Sequence, residues 1–336
     1  MLLAMLLEMP LIQNSGGSML LGIKDLEVFF KSSEGIVKAV NKVDLNILDG
    51  KTTAIVGESG SGKSVTSLAI MGLLDKSSIE KISGEINFEG KNLLELSAKE
   101  LRHIRGNEIS MIFQEPMTSL NPALKIGYQM SEVFRTHFNM DKKTAKEKSV
   151  EMIKKVEIDR AEEIYNSYPH ELSGGMRQRI MIAMALSSNP KLLIADEPTT
   201  ALDVTIQKEV LELMKKLKED MNTSIIFITH DLAVVSDIAD YVNVMYAGKV
   251  VERASVEEIF ENPLHPYTKG LIKSIPSAHK KREKLYSIRG AVPNPIGLKD
   301  CCYFCDRCDK KMKICEEKIP EEIDIDGHKV SCFLYG

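Results

Sequence analysis

Short apolar runs alternate with amphipathic stretches along most of the chain. Compact apolar runs occur at 52–57, 109–114, 191–196 and 224–230. Runs of this length between turn residues predict strands that are buried on both faces of a sheet. The segments 26–30 and 43–48 instead alternate apolar and polar residues, as half-buried strands do. Helices are predicted at 64–74, 142–166, 173–188 and 206–221. Together they predict an α/β fold with a central, mostly parallel sheet that helices cover on both faces.

This pattern changes towards the end of the chain. The last predicted element of the α/β type is a hairpin over 242–253 that turns at Ala247 and Gly248. Beyond it, prolines interrupt the chain and a charged run occupies 279–284. We therefore predict one large α/β domain over 21–260 and a small, irregular C-terminal domain over 261–336.

The first 20 residues differ from both parts. They are apolar, but they carry no positively charged start and are interrupted by Glu8 and Pro10. A secretory signal needs a positive segment before its apolar core. Residues 1–20 are therefore predicted to be a leader or an extension that takes no part in the fold.

The charge balance and the length of the apolar runs exclude two classes of protein. The 336 residues include 44 basic and 48 acidic side chains, a net charge of −4, so no positive field favours nucleic acid as a partner. No uncharged stretch reaches the roughly 20 residues that a membrane-spanning helix needs. A subunit that associates with a membrane from outside remains compatible with the sequence.

The segment Gly57 to Ser64, GESGSGKS, fits the phosphate-loop pattern G-x-x-x-x-G-K-[ST]. It lies directly after a predicted strand and before a predicted helix, as that motif requires. Glycines let backbone N–H groups turn towards phosphate oxygens, and the helix N-terminus adds its positive end. Lys63 would reach the β- and γ-phosphates of a nucleotide, and the Ser64 hydroxyl would ligate Mg²⁺. The alternative is a flexible glycine–serine turn. The predicted ATP-binding residues here are Gly57, Ser59, Gly60, Ser61, Gly62, Lys63, Ser64 and Val65.

A second buried strand ends in two carboxylates. The run Leu192 to Pro198 reads LLIADEP. Ionised acids at the end of a buried strand need a partner or a metal ion. Asp196 is placed to hold Mg²⁺, and Glu197 is placed to polarise the attacking water as general base.

A third motif identifies a family. Leu172 to Arg179, LSGGMRQR, resembles the signature motif of ATP-binding-cassette (ABC) ATPases. Gln114 in IFQEP resembles the Q-loop of that family, 201–203 resembles its D-loop, and His230 in ITHD resembles its switch histidine. The resemblance covers about 21–260. It implies a P-loop ABC nucleotide-binding domain with a mostly parallel core sheet, an antiparallel β subdomain and a helical subdomain at about 115–175.

The resemblance also implies how the site works. In this family the signature of one subunit closes on the nucleotide held by the other, so Ser173, Gly174, Gly175 and Gln178 would act on a second subunit's ATP. Gln114 would contact Mg²⁺ and the attacking water, and His230 would contact the γ-phosphate. Asp203 would couple the two sites.

An aromatic residue near the end of the first strand usually stacks on the adenine in this family. Phe30 stands at that position. A one-residue shift in the alternation would instead put Phe30 in the core and turn Phe29 outwards.

Two stretches resemble one branch of the family, the importers of dipeptides, oligopeptides and nickel. They are Phe113 to Pro122 and Asn262 to Pro276. The resemblance implies an ATPase that powers peptide import from the cytoplasmic face of the membrane. Its partners would be a second, similar or identical ABC ATPase subunit, two transmembrane permease subunits and an extracytoplasmic solute-binding protein. The alternatives are an importer of nickel or another small solute, and a soluble DNA-repair ABC ATPase, which would have a basic groove and usually two cassettes.

All six cysteines lie in the last 36 residues. Such crowding in one tail favours a metal site over disulfides. The branch has a four-cysteine tail of similar form, and the resemblance favours a [4Fe–4S] cluster on Cys302, Cys308, Cys315 and Cys332. Zinc, or free or disulfide-linked thiols, are the alternatives. Cys301 and Cys305 depart from the pattern of the branch, and the run Cys302, Cys305, Cys308 resembles that of a ferredoxin.

Overall fold

The computed structural model describes residues 17–114, 119–200, 202–275 and 286–336. A four-stranded antiparallel sheet forms the first part of the fold. Its strands are β1 (Met19–Ser32), β2 (Gly35–Leu48), β4 (Ile79–Phe88) and β5 (Lys91–Asn92). They lie in the order β2-β1-β4-β5. This sheet is the predicted antiparallel β subdomain. Because β1 already begins at Met19, the predicted leader ends inside it, and residues 1–16 lie outside the described chain.

An eight-stranded sheet forms the centre of the molecule. Its strands are β3 (Thr52–Val56), β6 (Ile109–Ile112), β7 (Leu192–Asp196), β8 (Ser224–Thr229), β9 (Tyr241–Tyr246), β10 (Lys249–Ser255), β11 (Ile323–Ile325) and β12 (His328–Val330). Their order is β11-β12-β10-β9-β3-β8-β7-β6. The five strands from β9 to β6 in that order run parallel, and the other three pair antiparallel. Every residue of β3, β7 and β8 is buried, as their continuous apolar sequences predict.

Ten α-helices are found in the described residues. They are α1 (Lys63–Ile70), α2 (Ala98–Ile104), α3 (Ile126–Phe138), α4 (Lys142–Lys155), α5 (Ala161–Asn166), α6 (Gly174–Leu186), α7 (Val204–Met221), α8 (Leu232–Ile238), α9 (Val256–Glu261) and α10 (Pro266–Lys273). The single helical region predicted over 142–166 is two helices. Glu157 and Arg160 between them have φ values of 58° and 54°, which no α-helix contains. Among the described helices, none has the length and apolar character that crossing a membrane requires.

The core is divided into three apolar clusters. The first lies between the large sheet and helices α3, α4, α6 and α7, and includes Ile153, Ile182 and Leu213. The second joins the two sheets, with Leu21 and Ile55 among its members. Each layer of the fold therefore packs against another through apolar side chains, and the predicted α/β fold class is confirmed.

The third cluster joins the C-terminal segment to the large sheet. It includes Val56 from β3, Tyr267 from α10 and Phe304. In addition, β12 pairs with β10, with Val330 opposite Glu252. The segment predicted as a separate small domain therefore continues the central sheet, and the division at residue 261 stays a prediction.

Candidate functional site

The phosphate loop lies between β3 and α1, at the carboxyl edge of the parallel strands. Gly62 precedes the helix with φ 100°, and a Cβ atom there would lie 2.5 Å from the carbonyl oxygen of Ala39. Only glycine fits this close approach. At the tip of the loop, Ser59 and Gly60 are exposed. The loop thus has its backbone shape fixed at the helix end and its tip open to a ligand.

Lys63 is folded back onto this loop. Its Nζ donates to the carbonyl oxygens of Gly57 at 2.8 Å and Glu58 at 3.0 Å. Burial lowers the pKa of Lys63, while the carboxylates of Glu197 and Asp196 act in the opposite direction. The ammonium group is therefore a mostly buried positive centre that faces two acids.

Asp196 is the last residue of β7 and is buried. Its Oδ1 accepts a hydrogen bond of 3.2 Å from the Ser64 hydroxyl. Burial raises the pKa of Asp196, and this hydrogen bond opposes the rise. Two of the three predicted magnesium ligands, Ser64 and Asp196, thus lie side by side, and their hydroxyl and carboxylate oxygens suit Mg²⁺.

Glu197 is the centre of a hydrogen-bonded group. Its carboxylate accepts from Gln114 Nε2 at 3.1 Å and from Thr200 Oγ1 at 2.9 Å, and it lies 3.0 Å from His230 Nδ1. Its backbone has φ 47°, the left-handed region, and its N–H donates to Ile228. Such backbone strain clusters at functional sites. The structure therefore brings all three predicted catalytic residues together.

The surroundings of Glu197 keep its carboxylate ionised. Burial alone would raise its pKa, but the hydrogen bonds with His230 and Thr200 outweigh it, and the pKa lies below its usual value. Sequence reasoning missed Thr200. The only local signal for Thr200 was its position three residues after Glu197, because a turn often brings two side chains at this spacing together.

The signature segment forms the start of α6. Ser173 caps this helix, accepting at Oγ from the Met176 N–H at 3.3 Å. Ser173 and Gly174 are exposed, whereas the position of a Cβ at Gly175 would be 3.1 Å from Ile206. An exposed helix N-terminus favours an anion, and the contact of Ser173, Gly174 and Gly175 with a second subunit's nucleotide stays a prediction.

Gln178 and Asp203, which are also predicted to act at the ATP site, lie within a helix and at the start of one. Gln178 is fully buried in α6, and its role at another subunit's nucleotide stays a prediction. Its amide has no hydrogen-bond partner among the described residues. Asp203 caps α7, accepting from the N–H groups of Thr205 and Ile206.

Both aromatic residues at the end of β1 are partly buried. Phe30 packs against the core cluster that joins the two sheets, as does the predicted ATP-binding residue Val65. Phe29 lies beneath two ammonium groups, those of Lys38 at 5.9 Å and Lys81 at 5.4 Å. Adenine stacking on Phe30 stays a prediction.

The C-terminal cysteines are all free thiols. The sulfurs of the four predicted ligands each accept a backbone N–H, from Phe304, Lys310, Met312 and Leu334. Burial, together with the neighbouring thiols Cys315, Cys332 and Cys308, raises the pKa of Cys302 to about 12. Among the described residues, no group of three or more His, Cys, Asp or Glu side chains is arranged to hold a metal ion. The predicted metal site therefore stays a prediction.

Comparison with known proteins identifies the family. The chain is 54% identical to the oligopeptide transport ATP-binding protein AppD of Bacillus subtilis, over 95% of this chain and 97% of that protein. The chain belongs to the ABC transporter family of ATP-binding proteins. The oligopeptide transport ATP-binding protein OppD of Escherichia coli is 47% identical, over 96% of this chain and 95% of its own.

Family and structure comparisons agree with this assignment. The ABC transporter family matches residues 40–200, and the family described as the C-terminal region of oligopeptide/dipeptide transporters matches 251–315. A dimeric ATP-binding cassette in a post-hydrolysis state with ADP and Pi has a TM-score of 0.62 and 31% identity, covering 70% of this chain and 98% of its own. The cbiO1 protein of Clostridium perfringens, part of the ABC transporter complex cbiONQ, has a TM-score of 0.61 and 28% identity, covering 73% of this chain and 91% of its own.

These comparisons confirm three predictions: the ABC family, the cassette fold and the ATPase class. The ABC ATPase assignment also explains why Lys63, Asp196 and Glu197 lie at one edge of the sheet.

Proposed function

We propose that this chain is the ATP-hydrolysing subunit that drives import of oligopeptides or dipeptides across the cytoplasmic membrane. The observation that carries the ATPase part is the convergence of Lys63 and Ser64 with Asp196 and Glu197 at the carboxyl edge of the central sheet. Peptide as the transported solute is supported by the relatives named for oligopeptide transport and by the matching C-terminal region.

Each residue of the ATP site has its own role in hydrolysis. The backbone N–H groups of the loop and Lys63 bind the phosphates of ATP. Ser64, Asp196 and Gln114 would hold Mg²⁺, which neutralises charge on the β- and γ-phosphates. Glu197 accepts a proton from the attacking water, and His230 contacts the γ-phosphate.

The remaining parts of the site come from other subunits. The exposed turn at Ser173 and Gly174 would close on the ATP of a second ABC ATPase subunit, similar or identical to this one. Two transmembrane permease subunits and an extracytoplasmic solute-binding protein would complete the importer. The chain would then lie peripherally on the cytoplasmic face of the membrane, with Gln114 linking its ATP site to a permease.

Transport by the reconstituted importer tests the solute. We expect ATP hydrolysis by the complete complex in liposomes to rise when the binding protein is loaded with a mixture of short peptides, and labelled peptide to accumulate with ATP. Ni²⁺ serves as the competing solute in a parallel reaction. Stimulation by Ni²⁺ with no response to any peptide would replace peptide import by the nickel alternative.

We infer that the four cysteines predicted as ligands hold a [4Fe–4S] cluster. A backbone N–H donated to each of their sulfurs favours the thiolate, the form that ligates iron, while burial acts in the opposite direction and raises the pKa of Cys302, Cys308 and Cys332. A tetrahedral zinc ion with Zn–S bonds of about 2.3 Å draws four sulfurs close together. A four-iron cluster also takes four cysteine thiolates, and the resemblance of this tail to that of the importer branch favours the cluster over zinc.

Anaerobic purification tests the cluster. The protein should be brown and contain about four iron atoms per chain. Cys302→Ser and Cys308→Ser should lose most of this iron, whereas the matched control Cys301→Ser should keep it. A colourless protein that contains only zinc contradicts the cluster. Loss of iron in Cys305→Ser with retention in Cys332→Ser would instead favour the ferredoxin-like set.

A further inference from the structure

The C-terminal segment contacts the phosphate loop at one residue, Glu58. The N–H of Glu58 donates to the hydroxyl of Tyr267 in α10 at 2.9 Å. The carboxylate of Glu58 accepts from Nη1 of Arg307 with both oxygens, at 3.1 and 3.0 Å. Tyr267 and Arg307 lie about 210 and 250 residues further along the chain. Tyr267 thus fixes the main chain of Glu58, and Arg307 fixes its side chain.

Contacts with β9 and within the C-terminal segment, apart from those with the loop, set the position of Arg307. Its Nε donates to the carbonyl oxygen of Arg289 at 2.8 Å. Its guanidinium lies over the rings of Tyr246 at 5.7 Å and Phe304 at 5.9 Å. With a side chain only 6% exposed, this arginine cannot reorient without opening the cluster around it.

Tyr267 is held in the same cluster. Its ring packs edge-on against Tyr246, with 4.7 Å between the ring centroids, and lies 5.4 Å from Phe304. Tyr267 and Arg307, the two residues that contact Glu58, therefore both pack against the rings of Tyr246 and Phe304, which hold them in place.

On its other side, Glu58 contacts the lysine of the ATP site. Its carbonyl oxygen accepts from Lys63 Nζ at 3.0 Å, and the charge of its carboxylate acts on Lys63. An unpaired Glu58 carboxylate would put a negative charge beside the place where ATP phosphates bind. The ion pair with Arg307 removes that repulsion, since the guanidinium neutralises the acid directly.

We propose that Arg307 and Tyr267 are positioning residues for the ATP site, acting through Glu58. Arg307 neutralises the carboxylate and holds it away from the phosphates, and Tyr267 fixes the backbone at the start of the loop. A loop held in its binding shape loses less conformational entropy when ATP binds. The inference rests on the proposed ATP-binding role of this loop and assigns it a dependence on the C-terminal segment.

A charge-rescue experiment tests this. Arg307→Met in the full-length chain should weaken ATP binding about tenfold, because it leaves the Glu58 carboxylate unpaired near the phosphates. The double variant Glu58→Gln, Arg307→Met should recover most of the affinity, since the amide carries no charge. Tyr267→Phe should also weaken ATP binding, and Glu58→Gln should not rescue it, because its partner is a backbone N–H.

Arg253→Met is the matched control. Arg253 is also a mostly buried arginine, 15% exposed, and it contacts Glu322 of the same C-terminal segment and the carbonyl oxygen of Asp44, not a residue of the phosphate loop. This variant should lose thermal stability and keep its affinity for ATP.

Two outcomes overturn the proposal. One is unchanged ATP affinity in Arg307→Met. The other is a double variant that binds ATP as weakly as Arg307→Met, which would give Arg307 a structural role only. If the unaltered chain fails to bind ATP, the proposed ATP site fails instead, so the two failures are distinguishable.

Discussion

Replacing Glu197 with glutamine is expected to stop ATP hydrolysis and leave ATP binding intact. The amide has the size of the carboxylate and its oxygen can still accept from Thr200, but it cannot take a proton from water. General base catalysis contributes about 10²- to 10⁴-fold, so the rate of phosphate release should fall by at least about 10²-fold. Because ATP then stays uncleaved, the variant should form a stable, ATP-dependent dimer that size-exclusion chromatography detects.

Glu108→Gln is the matched control for this variant. Glu108 directly precedes β6, at the amino end of the strand beside β7, whereas Glu197 directly follows β7 at the carboxyl end. The same change of charge at the opposite edge of the sheet should leave phosphate release unchanged. Normal hydrolysis by Glu197→Gln would show that another group acts as the base.

The hydrophobic pattern predicts the central strands because burial on both faces leaves a continuous apolar run. The run at 224–230 corresponds to β8, and the run at 52–57 corresponds to β3. The predicted hairpin turn is also present, with positive φ at both Ala247 and Gly248, as a two-residue type I′ turn requires. These features are local, so the sequence alone is enough to predict them.

The register of β1 is harder to predict. A strict alternation would place Phe29 and Phe30 on opposite faces, one buried and one exposed. In the structure β1 has irregular pairing at this point with both of its neighbours, and both rings are partly buried. A bulge adds or removes one residue from the alternation, and no local pattern marks where it falls.

Contacts across long sequence separations cannot be predicted from such patterns. The pair formed by Glu58 and Arg307 joins the phosphate loop to a segment that sequence reasoning treats as a separate domain. The phosphate-loop pattern allows any residue at the position of Glu58. Nothing near Arg307 in the sequence indicates that Arg307 pairs with Glu58. The side chains that act on Glu197 are partly predictable, because the family motifs contain Gln114 and His230 but not Thr200.

Replacing Lys63 with alanine is expected to abolish ATP binding, and hydrolysis with it. The variant loses the buried positive charge that faces the phosphates and the two hydrogen bonds that Nζ donates to the loop carbonyls of Gly57 and Glu58. Removal of one such electrostatic contact costs about 10²- to 10³-fold in turnover. Equilibrium ATP binding and phosphate release, measured on the same preparation, separate the two effects.

Lys218→Ala separates the role of Lys63 in ATP binding from a loss of stability. Lys218 is also mostly buried, 18% exposed, and its Nζ pairs with Asp240, a residue that precedes β9 at the amino edge of the parallel strands. Both lysine variants lose a shielded ammonium group, so both should unfold at lower temperature. Only Lys63→Ala should lose ATP binding, because only its ammonium group contacts the phosphate loop. ATP affinity within about twofold of the unaltered chain in Lys63→Ala would mean that the backbone N–H groups of the loop bind the phosphates without the lysine.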